Sequence, residues 1–423
     1  MPARLDEALA AAAADENPAE AYKRILDDIR SYSSLETLAD DLVQIANSIF
    51  EGTGTGVVFT RTALSHLIDA LKSMVFRGHA DLWILVGQNI LETINGSSSL
   101  SSSLLEQSAA LREMIATAHE TNEDFLEAAK VLAEIPLDSS QRRVPDAAKA
   151  QIWVRIVRNY LEVDDSTAAE TFLNKLKNVM HTVDDPELQL HFKLSVARIQ
   201  DSKRHFLAAA QSYHDISFTS AISEEERLHT LGMAIKCAIL APAGPPRSRV
   251  LGRLYKDERS AGLEEYGILE KMFLDRLLAP AEVDKFAQGL APHQLATTSD
   301  GSTVLAKAVV EHNLLGVSRL YNNIGFDALG VLLGLDGDKA EDTTAKMIEQ
   351  GRLSGSIDQM DRIIYFGNSE ASGEKGSGRA EVVVGQEIRR WDGIVEGVAE
   401  EVERIADAIQ SEFPEFVARQ IAV

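Results

Sequence analysis

Residues Phe326–Phe366 decide the fold and read FDALGVLLGLDGDKAEDTTAKMIEQGRLSGSIDQMDRIIYF. Apolar residues recur at helical spacing on both sides of a glycine-rich segment, so Phe326–Leu333 predicts a short helix and Lys339–Gln350 a second one. Gly334–Gly337 between them predicts a turn, because glycines permit the backbone angles that turns require.

The residues on either side complete the pattern. Leu353–Ile357 and Ile363–Phe366 are rich in β-branched and aromatic side chains and predict a β-hairpin. A preceding helix from about Asp300 is indicated by Val304, Leu305, Ala308, Val309 and His312. Three helices followed by a hairpin predict a winged helix. As the last strand, Ile363–Phe366 is predicted to lie at an open sheet edge, where a neighbouring protein adds a strand. The predicted docking residues are Ile363, Ile364, Tyr365 and Phe366.

Many winged helices bind DNA, but the charge here argues against it. The segment Asp338–Gln350, in the position of a recognition helix, has four acids against two lysines, a net charge of −2. The whole chain carries −23. Both negative charges, that of the segment and that of the whole chain, repel a phosphate backbone, so we predict no nucleic-acid partner.

A repeat of about 40 residues lies upstream. An Ala-Ala pair with a large apolar residue four positions after its first Ala occurs three times, at Ala128, Ala168 and Ala209. Small residues allow two helices to approach closely, and stacked helical hairpins of this kind form a solenoid. Chance similarity among alanine-rich helices is the alternative.

The carboxy-terminal segment carries one narrow apolar seam with spacings of 4, 3, 4, 3 and 4 residues. That alternation is typical of a coiled coil or helical bundle, so we predict that partner helices cover the seam. Packing against its own domain is the alternative. The glycine-rich segment Asn368–Gly378 is predicted to be a flexible connector. The seam residues are Trp391, Val395, Val398, Val402, Ile405 and Ile409.

A cationic helix face is predicted in Pro245–Arg259, which reads PPRSRVLGRLYKDER. Arg249, Arg253 and Lys256 are spaced i, i+4 and i+7 and therefore share one face. This face is either solvated or a docking face for an acidic partner.

Composition favours a helical protein of the cytosol or nucleus. The 423 residues are 45% hydrophobic but only 6% aromatic, and Ala and Leu are abundant. The single cysteine, Cys237, lies in an apolar run and is predicted to be buried. The sequence starts without the apolar core of a signal peptide, and no apolar run is long enough to cross a membrane.

No catalytic or cofactor-binding pattern stands out. The ten histidines form no metal-binding motif, and His312 is predicted to be a hydrogen-bonded core residue. Gly52–Gly56 (GTGTG) lacks the Lys-Ser/Thr of a phosphate loop and precedes its apolar residues, so we predict a plain loop. The prediction is a non-enzyme without metal or cofactor.

Several longer phrases resemble the subunit 4 family of the COP9 signalosome, a family with a PCI module (a helical solenoid running into a winged helix). They include YGILEKM (Tyr266–Met272), APHQLATT (Ala291–Thr298), EHNLL (Glu311–Leu315) and MIEQGRLSGSIDQMD (Met347–Asp361). Long phrases in a shared order are far more specific than one short motif.

The resemblance implies a non-catalytic scaffold in an eight-subunit complex that removes Nedd8 from cullins. It implies that the amino-terminal solenoid contacts neddylated cullin–RING ligases and relays their binding to the catalytic subunit. Neighbouring winged helices would abut edge to edge, and the carboxy-terminal helices would gather in one bundle. The catalytic His-x-His motif of another subunit is absent from this sequence. A PCI subunit of the proteasome lid or of translation initiation factor 3 is the alternative.

The predicted fold class is therefore all-α dominated, with a TPR-like helical-repeat solenoid, a winged-helix PCI subdomain and a bundle helix. The predicted domains are the solenoid at 1–240, the PCI module at 241–366, a flexible connector at 367–384 and the bundle helix at 385–423.

Overall fold

A computed structural model describes residues 2–15, 17–32, 37–51, 56–72, 80–96, 98–138, 144–297, 301–367 and 386–414. By its contacts the chain divides into two units, residues 1–203 and 204–423. The third Ala-Ala hairpin thus belongs to the second unit, although the sequence suggested a boundary after residue 240. The predicted domain limits themselves stay a prediction. Residues 52–55 of the predicted glycine loop and the Asn368–Gly378 connector lie outside the described residues.

The first unit is built from helices that pack mainly on their neighbours in sequence. They are α1 Pro2–Ala13, α2 Pro18–Asp27, α3 Ile29–Tyr32, α4 Leu38–Glu51, α5 Gly56–Lys72, α6 Ala80–Asn95, α7 Ser98–Ser103, α8 Leu105–Thr121, α9 Phe125–Ala133, α10 Asp146–Glu162, α11 Ser166–Val179 and α12 Pro186–Ser202.

Side-chain caps explain where two of these helices begin. The Asp165 carboxylate accepts a hydrogen bond from the Ala168 backbone N–H at the start of α11, 3.0 Å away. Asp185 does the same for the Glu187 N–H at the start of α12, also at 3.0 Å, and Pro186 occupies the first helical position. Each cap satisfies a backbone donor that the helix itself leaves unpaired.

The Ala-Ala repeat marks buried positions, with one correction. Ala128, Ala129, Ala209 and Ala210 are fully buried. In the second repeat Ala169 is fully buried but Ala168 is only half-buried, because there the second Ala of the pair, and not the first, lies four residues after the N-cap residue of its helix. The close helix approach there belongs to Ala169.

The second unit continues with helices and ends in a small sheet and a long helix. Its helices are α13 Phe206–Ser217, α14 Glu224–Leu240, α15 Pro245–Tyr255, α16 Tyr266–Phe273, α17 Pro280–Ala287, α18 Val304–Leu320, α19 Phe326–Leu333, α20 Gly337–Glu349 and α21 Gln386–Glu412; its strands are β1 Asn323–Gly325, β2 Gly355–Asp358 and β3 Ile363–Phe366.

Helices α18, α19 and α20 and the sheet form the predicted winged helix around one core, which includes Phe326, Met347 and Ile364. Gly334 ends α19 in the left-handed conformation (φ 69°), as the glycine turn predicted. Strand β2 begins at Gly355 rather than Leu353. A Cβ at Gly355 would lie 2.5 Å from the Tyr365 carbonyl oxygen, so β2 approaches β3 where only glycine fits.

The predicted edge position of β3 is wrong. The strand order is β1-β3-β2, so Ile363–Phe366 is the central strand and both of its backbone edges are paired. The hairpin pattern concealed this because β1, a three-residue strand between two helices, carries too little periodicity to be recognised in sequence. Ile364 and Phe366 are buried, and only Tyr365 is well exposed.

Helix α21 carries the predicted seam on its surface. The six seam residues from Trp391 to Ile409 are 39% to 69% exposed, and Ile394 and Phe413 beside them are also exposed. The core prediction for Cys237 is confirmed, since its side chain is fully buried.

Candidate interaction surfaces and the polar hub

Three consecutive buried polar residues on α18 join α18 to three other segments of the second unit. Glu311, His312 and Asn313 are between 1% and 7% exposed. Successive residues on a helix point about 100° apart, so each side chain reaches a different segment. We call this triplet and its partners the polar hub.

Glu311 binds the winged helix to the start of α15. Its carboxylate accepts two hydrogen bonds from the Arg352 guanidinium, at 2.5 and 2.9 Å, and one from the Ala243 backbone N–H at 3.0 Å. Arg352 also donates to the Ala243 carbonyl at 3.1 Å. A buried carboxylate requires such compensation, and the bidentate geometry is the strongest form it takes between side chains.

The other two members bind the segment before α17. The Asn313 amide oxygen accepts from the Leu278 N–H at 3.0 Å. The His312 Nε2–H donates to the Arg276 carbonyl at 2.8 Å, whereas Nδ1 is buried without a partner. The prediction of a core histidine is confirmed, but only one of its two nitrogens is hydrogen-bonded.

Burial governs the protonation of the hub. Desolvation, reinforced by the nearby charge of Arg247, lowers the pKa of His312 to about 4, so the imidazole is neutral at neutral pH. Desolvation also lowers the pKa of the fully buried Arg247 to about 10, although Glu311 opposes the shift. Arg247 donates to the Ala241 carbonyl at 3.2 Å.

Sequence reasoning missed Glu311, Asn313 and Arg352. The available signal was three adjacent polar residues inside an otherwise apolar helical pattern, in EHNLL. Their partners lie 35 to 68 residues away in sequence, which no local pattern reveals.

The second unit carries three candidate interaction surfaces, and two of them, on β1 and α15, lie on elements joined to α18 through the hub or the winged-helix core. The first is the open edge of β1. Phe366 N–H donates to the Asn322 carbonyl and Phe326 N–H to the Arg362 carbonyl, so residues 322, 324 and 326 face β3. By the alternation of antiparallel pairing, the backbone groups of Asn323 and Gly325 point away from the sheet.

Exposed apolar side chains surround this edge. Leu320 and Tyr321 precede β1 and are 71% and 45% exposed. Tyr365 lies directly opposite Asn323 on β3 and is also exposed. An open strand edge beside large apolar side chains is a typical protein-docking surface.

The second surface is the cationic face of α15, and the third is the seam of α21. Arg249, Arg253 and Lys256 are all exposed, as their spacing predicted, while Val250 and Leu254 turn inward and are buried. In the described part of the chain, no group of three or more His, Cys, Asp or Glu side chains is arranged to hold a metal ion. Nor does any described helix combine the length and apolarity needed to cross a membrane.

Comparison with known proteins decides the family. Residues 4–225 match the family described as PSMD12/CSN4, N-terminal, and residues 269–368 match the PCI domain. The COP9 signalosome complex subunit 4 of Neurospora crassa is 64% identical over 94% of this chain and 93% of its own. The chain belongs to the COP9 signalosome subunit 4 family.

More distant members agree. The subunit 4 proteins of Emericella nidulans and Dictyostelium discoideum are 48% and 40% identical, each over 94% of both chains. The resemblance noted in the sequence is therefore confirmed, as is the fold class of helical repeats followed by a PCI winged helix. A proteasome-lid or initiation-factor subunit is not favoured.

Breaking the hub at Arg352 should destabilise this subunit 4 chain strongly. Replacing Arg352 with Met leaves the Glu311 charge buried without its partner, which costs about 3–5 kcal/mol. Urea unfolding followed by circular dichroism measures the loss. Lys346→Met is the matched control, because it breaks a half-exposed pair with Asp342 and should cost about 0.5 kcal/mol. Equal effects would show that the hub is not special.

The hub also predicts a pH dependence. The pKa of His312 is about 4 in the folded chain and near 6.5 when unfolded. The unfolded chain therefore takes up the proton first, and stability is lost as the pH falls from about 6.5 to about 4. The full loss is about 3 kcal/mol. In His312→Gln, which keeps a donor for the Arg276 carbonyl, the urea midpoint should fall less over this range. An identical pH profile for both proteins would contradict the assignment.

Proposed function

We propose that this chain is a non-catalytic scaffold and substrate-sensing subunit of a COP9 signalosome, supporting the removal of Nedd8 from cullin–RING ligases. Its amino-terminal helical repeats contact the cullin–RING substrate, and the subunit relays that contact to the catalytic subunit. The proposal rests on membership of the subunit 4 family over nearly the whole chain. It places the subunit in the cytoplasm and nucleus.

The observation that carries the scaffold role is the exposed seam of α21. A stripe of six apolar side chains runs along a 27-residue helix, and every one of them is exposed. Soluble proteins rarely leave so long a contiguous apolar stripe in water unless another protein covers it. The spacing of the stripe suits packing against other helices.

The width of the apolar face on α21 indicates how many partner helices cover it. Val395, Val402 and Ile409 occupy one core position of the heptad, and Trp391, Val398 and Ile405 occupy the other. Of the seven flanking positions between 392 and 413, two are acidic (Asp392 and Glu401) and five are apolar: Ile394, Ala399, Ala406, Ala408 and Phe413. Two-stranded coiled coils usually place charged residues at those flanks. An apolar face this wide favours a bundle with helices on both sides.

Placing Asp at both Val398 and Val402 should release the subunit from its complex. The substitutions would bury two carboxylates in the apolar centre of the bundle, where they have no partners. The measurement is the amount of other subunits recovered with the tagged double variant. The folded units should survive, since the seam residues are exposed in the free chain.

Gly393→Asp with Gly397→Asp is the matched control. Both glycines are exposed, with open space around them, on the side of α21 opposite the seam. This variant adds the same two charges to the same helix and should still assemble. If the seam variant also co-purifies in stoichiometric amount, the helix is not a bundle contact.

We further propose that a neighbouring subunit adds a strand at the β1 edge. The corrected sheet order moves this contact from β3 to β1, although Tyr365 remains beside it. Support comes from the outward backbone groups of Asn323 and Gly325 and from the exposed Leu320 and Tyr321. Backbone pairing of this kind supplies affinity, and the flanking side chains supply specificity.

Asn323→Pro tests the β1 edge directly. Proline removes the outward N–H of an exposed residue while leaving the pairing of Ile324 with Ile364 in place. We expect an unchanged melting temperature and a lower fraction of the subunit in the complex, measured by size exclusion of co-expressed subunits. Asn323→Ala, which keeps the N–H, should assemble normally. Equal incorporation of the two variants would rule out strand addition at this edge.

A further inference from the structure

The cationic face of α15 forms no ion pair with any acidic side chain that the structure describes. Arg249, Arg253 and Lys256 are exposed, and no side-chain hydrogen bond or ion pair joins them to any described residue. Among the acids that follow, the Asp257 carboxylate is already bound by the Arg259 guanidinium at 2.6 and 3.0 Å. Three unpaired cations therefore line up in a chain whose net charge is −23. We call them the cationic ridge.

This arrangement costs the free subunit stability. Like charges at i, i+4 and i, i+3 repel one another along a helix, and Arg249–Arg253 and Arg253–Lys256 stand at those spacings. Helices usually place acids at such positions, as at Asp342 and Lys346 on α20. The helix dipole favours Arg253 and Lys256 at the carboxy-terminal end of α15, but no bonded carboxylate offsets the repulsion among the three cations. The ridge is therefore free to bind an acidic partner.

The ridge sits on a rigid base. Helix α15 buries Val250, Leu251 and Leu254 on the opposite side. Tyr255, between the last two cations, stacks on Phe273 at 4.6 Å and on Tyr266 at 5.9 Å between ring centroids. A helix fixed in this way holds its three charges in constant register, so a partner binds without having to order the helix first.

We propose that the cationic ridge docks an acidic helical segment of a partner protein. From Arg249 to Lys256 the three cations are separated by seven helical steps, about 10 Å of helix rise. A facing helix with carboxylates at i, i+4 and i+7 has the same rise, and Arg–carboxylate pairs are strong and directional. A row of cations along one helix face matches an elongated partner, whereas a compact polyphosphate needs cations that converge on one point. Nucleic acid is disfavoured by the charge of the rest of the chain.

The inference rests on the proposed role as a complex subunit, and it is tested without the complex. The probe is a fluorescent alanine-based helical peptide with Glu at i, i+4 and i+7, titrated with the full chain at low ionic strength and followed by anisotropy. We expect binding that weakens with salt. Arg249→Glu with Arg253→Glu and Lys256→Glu should weaken it by about tenfold or more. A peptide with Lys at the three positions should bind this reversed variant instead.

The control variant reverses three other exposed cations, Lys193, Lys285 and Lys339, on three different helices. It has the same net charge as the reversed ridge and should bind the Glu peptide within about twofold of the unmodified chain. A second variant has Gln at all three ridge positions, which removes the charges without reversing them. It replaces the reversed variant in the comparison with the unmodified chain if the reversed variant melts at a lower temperature.

Equal peptide binding by the unmodified and neutralised chains would overturn the proposal. Tighter ridge-dependent binding of inositol hexakisphosphate than of the peptide would overturn it too, in favour of a compact anion. If the peptide does not bind but the unmodified chain assembles normally, the ridge proposal fails and the scaffold role stands. If the peptide binds to a chain that does not assemble, the scaffold role fails and the ridge proposal stands.

Discussion

The pairing of Glu311 with Arg352 is the contact on which the second unit depends. Neither residue could remain alone: Glu311 is buried on α18, and Arg352 follows the helix α20 of the winged helix. Burying a carboxylate is costly unless its oxygens are satisfied, and here three donors satisfy them. Because those donors come from the start of α15 and from the winged helix, the charge can be buried only when both segments are in place. The interaction therefore selects one arrangement of the PCI module rather than adding much net stability.

His312 and Asn313 extend the same constraint to the segment before α17. An apolar interface between α18 and this segment would tolerate sliding, since hydrophobic contact is not directional. Hydrogen bonds to the backbone at Arg276 and Leu278 do not tolerate it, because each is lost within a fraction of an ångström. The unpartnered Nδ1 of His312 is the cost of this arrangement. Burial, which lowers the pKa of His312 to about 4, makes the hub sensitive to acid.

Much of the fold could be predicted from sequence because it depends on patterns within short stretches of the chain. The helices of the winged helix, the turn at Gly334 and the exposed seam of α21 all follow from spacing within a few turns. Sheet order could not be predicted in this way: β1 has only three residues, and its pairing with β3 spans about forty positions. Ala169 is buried instead of Ala168 because α11 begins one residue later relative to its Ala-Ala pair than α9 and α13 do, and sequence does not predict helix ends to one residue. The hub was missed for the same reason as β1, since its partners are distant in sequence.

The second unit combines a rigid interior with surface groups that have no partner within the chain as the structure describes it. The interior of the second unit is fixed by directional contacts, whereas its surface leaves backbone donors at β1, a charged ridge on α15 and an apolar seam on α21 without partners among the described residues. Each surface suits a different kind of partner. The β1 edge suits a strand, the ridge on α15 suits an acidic helix, and the seam of α21 suits apolar helices. A partner that satisfies one of them gains nothing at the others, so neighbours are distinguished by kind of contact as well as by position. Since α15 and β1 are both anchored to α18 through the hub or the winged-helix core, a change in the hub should alter the spacing between two of these surfaces before it alters either surface itself.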